Sequence, residues 1–558
     1  MQIQFTLIIL CCAIAIAIFC PQLSFRFVRF FQSVMRKLSH HVASGILFFA
    51  VLTLVFEIVF ALCVYFPYPM IHDEFAYLLT ADTFASGRLT NPTHPMWEHF
   101  ESFHIIQQPS YQAKYPPGQG LFLAMGQFLF GYPIVGAWLS MAAAAGAIFW
   151  MLCGWVPRRW AVYGGFLVAL NSAFLIEWGE SFWGGQVALL GGALMFGAYP
   201  RLKKKLQTST SIVLAIGLVI LANSRPYEGL LAAIPIAVAL LYWLVSQNKS
   251  GWSVTIYRMV LPILLVLIPA FIWMGYYNYR VTGNALTLPY KVWIDQYYTM
   301  SMDGILFDMK QESASQQPPR IISVYVTDGD QPGTKVELQF KPSNKKLTTK
   351  LLRFSLVYAG SSALILVCFM GVCSLFRNRE NLFLCMVCAL IIASAVFQGT
   401  QGHPHYVAPV GSVFILLQIQ CLRYVYQWKR NWRPVGRMLV AVILFLIAFK
   451  TMFIATNYYK VNPAFTFHRW AGEKQQILKK LSGSEKKHLI LVKYDRDHNM
   501  VKEWVYNESD LDNSNVVWAR MLEPEKNQKL RDYYKDRLIW MIEADKPGSK
   551  LMLYQAIN

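Results

Sequence analysis

Apolar stretches of roughly 18–25 residues recur along most of the chain, separated by short polar connectors, and crossing about 30 Å of hydrocarbon takes a stretch of that length. The pattern predicts about twelve spans, centred near residues 12, 55, 145, 168, 192, 217, 237, 268, 364, 390, 417 and 447. The opening run "FTLIILCCAIAIAIFC" has no basic residue before it and several after it. A secretory signal has the reverse arrangement, so the run reads as a retained first span with its N-terminus outside. The apolar segment "GQGLFLAMGQFLFG", residues 118–131, is too short to span and predicts a helix lying in the outer interface.

Charge tests this count. The connectors assigned to the cytoplasm carry Arg26, Arg29, Arg36 and Lys37, then Arg158 and Arg159, then Arg201, Lys203, Lys204 and Lys205. Lys249, Arg258, Arg377, Arg379, Lys429, Arg430, Arg433 and Arg437 follow, so eighteen basic residues stand against one acid, Glu380. The short connectors on the other side, "EWGESFWGGQ", "NSRPYEG" and "QGTQGHPHY", share one basic residue, Arg225. Such a bias sets orientation, and counting 118–131 as a span would put Lys203–Lys205 outside.

Three long polar segments then fall on the outer side: 67–117, 279–350 and 457–558. The last alternates β-like runs ("HLILVKY", "NVVWARML", "RLIWMIEAD") with the polar helical stretch "EPEKNQKLRDYYKD". The expected architecture is a polytopic α-helical membrane protein. Its transmembrane domain covers 1–456, with outer loops 67–117 and 279–350, and a small soluble extracytoplasmic α/β domain follows over 457–558.

Composition agrees with this picture. Of 558 residues, 55% are hydrophobic and only 15% charged. The net charge of +20 suggests nucleic acid only until its distribution is seen; it sits in the connectors, so no nucleic-acid partner is expected. All ten cysteines lie in or beside apolar runs, which argues against a disulfide framework. There is no Walker or Rossmann glycine pattern and no evident repeat.

The unusual polar groups gather on the outer face. "YPMIHDEFAYLL" sets His72, Asp73 and Glu74 side by side just after the second span. "KYPPGQG" supplies Lys114 and Tyr115 before a proline pair that can start a helix. "NSRPYEG" brings Arg225 and Glu228, "EWGESFWGG" brings Glu177 and Glu180, and "GHPHY" brings His403 and His405. Lysine and arginine suit a lipid-linked phosphate, and a carboxylate suits the deprotonation of a hydroxyl acceptor. Two adjacent acids near an interface repel, which can raise one pKa toward neutrality.

At these residues the sequence resembles the membrane glycosyltransferases of the C structural class, in the group of protein O-mannosyltransferases and lipid A aminoarabinose transferases. The resemblance rests on "DEFAYLLTADTFASGRL" directly after an early span, on "KYPPGQG", and on the order of long outer loop, many spans and outer C-terminal domain. It covers roughly residues 45–250. It implies an inverting transfer of sugar from a polyprenyl-phosphate carrier to a glycan, lipid or protein acceptor. It implies Asp73 as the acceptor-activating base with Glu74 its neighbour, and Lys114 and Arg225 as donor-phosphate ligands. His72, Tyr115, Glu177, Glu180, Glu228, His403, His405 and Lys450 are then candidates to line the cavity. The lipid-linked sugar is expected as donor substrate, no further cofactor is called for by the motifs, and a divalent metal is left open.

Plainer readings stand beside these. Asp73 and Glu74 also suit a cap on a loop helix. His94, His99 and His104, with Glu98 and Glu101, offer donors for a divalent metal, but their spacing keeps no single helical face, so surface aromatics with histidines are the plainer reading. Glu57 and Lys450 lie deep in their spans, where charge is costly, and are expected to face the bundle interior and pair or meet the carrier phosphate. A lipid-linked glycan transporter and a non-catalytic scaffold displaying the tail are the rival functions. A bacterial inner membrane with the site facing the periplasm fits the chain; an endoplasmic reticulum membrane is the alternative, with Asn507-Glu-Ser as a sequon.

Overall fold

The computed structural model describes residues 2–246, 251–300, 307–309, 347–397, 403–430, 432–462, 465, 468–495, 498, 502–546, 548 and 550–554. Most of the outer loop 279–350, including "QESASQQPPR" and "DGDQPGTKVELQFKPSNKK", lies outside the described residues. The chain divides into two compact units. Unit 1 comprises Met1–Phe66, Ala137–Phe271 and Pro342–Tyr458, and unit 2 comprises Pro67–Gly136, Ile272–Lys341 and Tyr459–Asn558. The tail therefore clusters with the first outer loop rather than with the helices that precede it.

Among the described residues, seven helices are long and apolar enough to cross a membrane: Val42–Cys63, Pro133–Trp155, Pro226–Ser246, Trp252–Thr282, Arg379–Val396, Pro404–Val425 and Val435–Thr456. This is an integral membrane protein. Two bent pairs raise the number to nine if each is one span: Ile8–Phe19 with Pro21–Leu38, turned by 112°, and Thr348–Ala359 with Ser362–Arg377, turned by 97°. Proline supplies the first break, since Pro21 cannot continue the hydrogen-bond ladder of the helix before it. At the second, Gly360 takes a φ of +67° beside Asn171, and the hydroxyl of Ser361 caps the next helix by accepting from the Ala363 N–H. The centres expected near 168, 192 and 217 fall on Arg158–Ala169, Gln186–Lys204 and Thr208–Ser224. The first and last are 12 and 17 residues long, and the middle one ends in Arg201, Lys203 and Lys204, so length and composition alone do not make them spans.

One connector is more ordered than its sequence suggests. Pro21–Leu38, read above only as basic connector, is a helix that buries Ser24, Val28 and Met35. All ten cysteines are free thiols.

In unit 2, helix α1 (His72–Ala85) packs on helix α2 (Pro117–Phe130). Contact is close because Gly120 has no side chain: a Cβ there would come within 2.5 Å of the Thr80 methyl. The opposite side of α2 exposes Leu121, Met125, Phe128 and Leu129. An apolar exposed stripe on a 14-residue helix is what an interface helix presents to lipid. Between α1 and α2 the chain forms a short antiparallel ladder, β1 (Ile105–Ile106) with β2 (Gln112–Ala113).

The tail holds a four-stranded sheet. Strand β3 (His488–Lys493) is flanked on both sides by parallel partners, β4 (Val516–Arg520) and β5 (Leu538–Glu543), and β6 (Met552–Leu553) closes the edge antiparallel to β5. "HLILV" is buried at every position, as a central parallel strand requires. The helix Pro524–Tyr533 makes the crossover from β4 to β5.

Candidate active site

The acidic pair occupies the first turn of α1, and its two members have different surroundings. Glu74 Oε2 turns back and accepts from the backbone N–H groups of Met70 at 2.7 Å and Ile71 at 3.3 Å. That is the reach of the third residue in a capping box, and it ties down the chain entering the helix. Asp73 Oδ1 instead accepts a hydrogen bond from the Tyr115 hydroxyl. The Tyr115 ring stacks on Tyr77, one turn along α1, with centroids 4.7 Å apart.

Lys114 precedes Tyr115 and is only 4% exposed. Its backbone N–H donates to the His104 carbonyl at 3.0 Å, which fixes it at the end of the ladder. Its ammonium rests 3.4 Å from the centroid of the Trp293 ring, with Tyr290 at 5.0 Å and Tyr115 at 5.2 Å. Burial pushes the Lys114 ammonium well below the usual lysine range, and the nearby Asp73 charge opposes that shift.

Two histidines complete the cluster. His72 Nδ1 lies 3.2 Å from the Tyr506 hydroxyl. Burial pushes its pKa down to about 4, against the pull of Asp73, so its imidazole is neutral at pH 7. His104 is held well below the usual range, by burial first and then by Lys114 and His72. Among the described residues it is also the non-glycine residue with a positive φ, 68°. Its Nδ1 is buried with no hydrogen-bond partner among the described residues. A left-handed backbone on a residue other than glycine is uncommon and persists where surrounding contacts enforce it.

The outer histidines disperse. His94 meets Asp512 and the Tyr534 hydroxyl, His99 lies 2.8 Å from the Arg520 carbonyl, and only His104 joins Lys114. No group of three or more metal-type side chains occurs among the described residues.

Arg225, Glu228, Glu177, Glu180, His403, His405 and Lys450 all belong to unit 1. Arg225 lies between helices Thr208–Ser224 and Pro226–Ser246, its guanidinium 5.0 Å from the centre of the Tyr406 ring. Glu228 is buried in the first turn of the second of these helices. His405 is buried, its ring packed 4.5 Å from Trp183, and its Nδ1 has no hydrogen-bond partner among the described residues. His403 stacks on His405 at 5.5 Å. Glu180 accepts from the Trp138 indole at 3.3 Å. Lys450 donates to the Gly360 carbonyl at 2.7 Å, and Glu177 is the acid that acts on its charge. Glu57 is fully buried against Gly179, and neither carboxyl oxygen finds a partner among the described residues.

Of the residues expected at the site, the fold gathers His72, Asp73, Lys114 and Tyr115 into one cluster of unit 2. Sequence patterning assigned no role to Trp293, Tyr290 or Tyr506, which reach that cluster from far along the chain, and it read His104 only as a surface or metal histidine. In the tail, His498 pairs with Asp545 at 2.6 Å. The Asn507 side chain is engaged at both ends, donating to the Trp518 carbonyl and accepting from the Trp518 N–H, each at 2.8 Å.

No family model matches the sequence, and no curated protein does. Among solved structures, ArnT from Cupriavidus metallidurans is similar in its apo state at 13% identity, over 90% of this chain and 93% of that one, with a TM-score of 0.49. The same protein bound to undecaprenyl phosphate matches at 12% identity, over 90% and 94%, with a TM-score of 0.49. The apo Archaeoglobus fulgidus oligosaccharyltransferase matches at 13% identity, over 81% and 62%, with a TM-score of 0.41. A likeness of this degree leaves the chemistry to be argued from the residues.

Proposed function

We propose that the chain is an inverting membrane glycosyltransferase that moves a sugar from a polyprenyl-phosphate carrier to an acceptor hydroxyl at the outer face. One observation carries the reading. A carboxylate held by a tyrosine and a buried lysine caged by aromatic rings stand in one cluster, and both come from the motifs that resemble this enzyme class. Asp73 removes the acceptor proton as the acceptor oxygen bonds to the anomeric carbon. The bond from that carbon to phosphate breaks, and its electron pair leaves on the phosphate. A phosphate leaves without being protonated, so one carboxylate base suffices.

Lys114 meets the charge that builds on the departing phosphate. Burial disfavours its ammonium in the resting protein, so an anion arriving there restores the charged form. Tyr115 fixes the Asp73 carboxylate, and the Trp293 face holds the ammonium without neutralising it. Arg225 belongs to a second polar cluster, and weaker donor binding in Arg225→Gln is its own expectation. The fit to a bacterial inner membrane, with the site toward the periplasm, rests on the charge bias of the connectors.

The test is product stereochemistry. Nuclear magnetic resonance of the transferred sugar should show the anomer opposite to that of the polyprenyl-phosphate donor. Retention would call for a covalent intermediate and remove Asp73 from the role of base.

A further inference from the structure

On the side that the charge bias assigns to the cytoplasm, unit 1 contains a cavity of about 390 Å³ lined by Arg159, Trp160, Arg423, Tyr426, Gln427, Lys429 and Arg437. The helix ending at Val425 and the helix beginning at Val435 meet there through a turn at which the Gly436 N–H donates to the Trp428 carbonyl at 3.0 Å. Gly436 makes that turn possible, because a Cβ on it would fall 1.9 Å from the Val425 carbonyl oxygen. The turn brings Arg423 and Arg437 to the same cavity from opposite helices. Arg423 is steadied by Gln420 at 2.8 Å, and the Arg437 guanidinium lies 5.4 Å from the centre of the Tyr426 ring. Tyr426 is in turn held by Gln32 and packs edge-on to Trp160, 5.2 Å away.

Four cations line this space and no acid does. None of the four is ion-paired among the described residues, and Arg159 and Arg423 are close enough to repel one another. A topology signal needs positive charge in the connector, but it does not need a cavity, fixed guanidinium groups or mutual repulsion. Planar guanidinium groups around a concave space suit phosphate oxygens. The turn at the mouth also exposes Trp428 and Trp432, interleaved with Lys429, Arg430 and Arg433, and Trp432 stacks on Phe25 of the basic helix Pro21–Leu38. Aromatic and basic residues together mark the headgroup level of a bilayer.

We propose that this cavity is a second anion site, distinct from the Asp73–Lys114 cluster, that holds the phosphate headgroup of an anionic membrane lipid. It stands independently of the glycosyltransferase reading. The experiment uses the full chain, purified and delipidated in neutral detergent, with dioleoylphosphatidylglycerol binding counted by native mass spectrometry. Dioleoylphosphatidylcholine, and inorganic phosphate and pyrophosphate as competitors, form the other arms.

Phosphatidylglycerol should bind in preference to phosphatidylcholine, and R423Q/R437Q should weaken its binding by about 100-fold or more, a loss of two charge-assisted contacts. R36Q/K37Q, which removes the same charge from the same side outside the cavity, should not. If R423Q/R437Q does not fold, R159Q/K429Q, on exposed side chains, reads the same loss. Equal weakening in R36Q/K37Q would reduce the site to general surface charge and overturn the proposal. Tight pyrophosphate binding that displaces the lipid would overturn the lipid source and leave a site for soluble phosphates.

Discussion

Replacing Lys114 by methionine should move stability and donor binding in opposite directions. The side chain is 4% exposed, and burial disfavours its ammonium. An apolar chain of similar volume is spared the desolvation penalty of such a charge, which is several kcal/mol per buried ion. The stacking of the ammonium on Trp293 at 3.4 Å offsets part of that gain, by about 2 kcal/mol for a desolvated pair. Lys114→Met should therefore melt at the same temperature as the parent or slightly above it. A charge-assisted contact to phosphate is worth about 1.5–3 kcal/mol, so donor affinity should fall by roughly 10- to 150-fold. Tryptophan fluorescence during heating reads the first quantity, and equilibrium binding of a labelled polyprenyl-phosphate sugar reads the second. A lower melting temperature with unchanged donor affinity would make Lys114 a structural residue and refute the reasoning.

Three further outcomes follow from particular contacts. Glu74→Ala should cost about 1 kcal/mol of stability through the lost cap, while Glu74→Gln keeps most of the turnover; loss of turnover in Glu74→Gln at an unchanged melting temperature would return Glu74 to the chemistry. Gly179→Ala should destabilise by about 1–3 kcal/mol, because its Cβ would lie 2.2 Å from Glu57 Oε1 and 2.6 Å from the Leu175 carbonyl oxygen, and Glu57→Ala in the same chain should relieve the part due to Glu57; purely additive effects in the double variant would contradict the contact. His72 titrates at about 4 in the fold against 6.5 when free, so the unfolded chain binds more protons between those values. Its contribution is complete above about pH 6.5 and is lost as pH falls toward 4, on the order of 2–3 kcal/mol, and denaturant titrations from pH 4 to 7 should show a shallower slope in His72→Phe.

What the sequence made legible was local. Apolar length located the helices, and "YPMIHDEF" and "KYPPGQG" placed Asp73 and Lys114, because a helix start and a proline pair declare themselves within a few residues. The short run 118–131 likewise announced a helix too short to span. Pro21–Leu38 was missed as a helix because its basic residues were read for topology, although Ser24, Val28 and Met35 repeat on one face.

The cage around Lys114 was not legible. Trp293 and Tyr290 lie more than 170 residues along the chain, and Tyr506 more than 390, so only tertiary packing reveals them. The positive φ of His104 has no sequence signature, since histidine in that conformation is set by the contacts around it. The division of labour within the acidic pair was hidden for a similar reason. Both carboxylates are near the helix start, and only the direction of each side chain separates the cap from the group that meets Tyr115.

Sugar transfer from a radiolabelled polyprenyl-phosphate donor by the purified chain, alongside Asp73→Asn, tests the central claim most directly. The account predicts that the parent transfers sugar, and that Asp73→Asn binds the donor as well but turns over about 10²- to 10⁴-fold more slowly. Undiminished turnover in Asp73→Asn, or a well-folded parent that binds no donor, would contradict it.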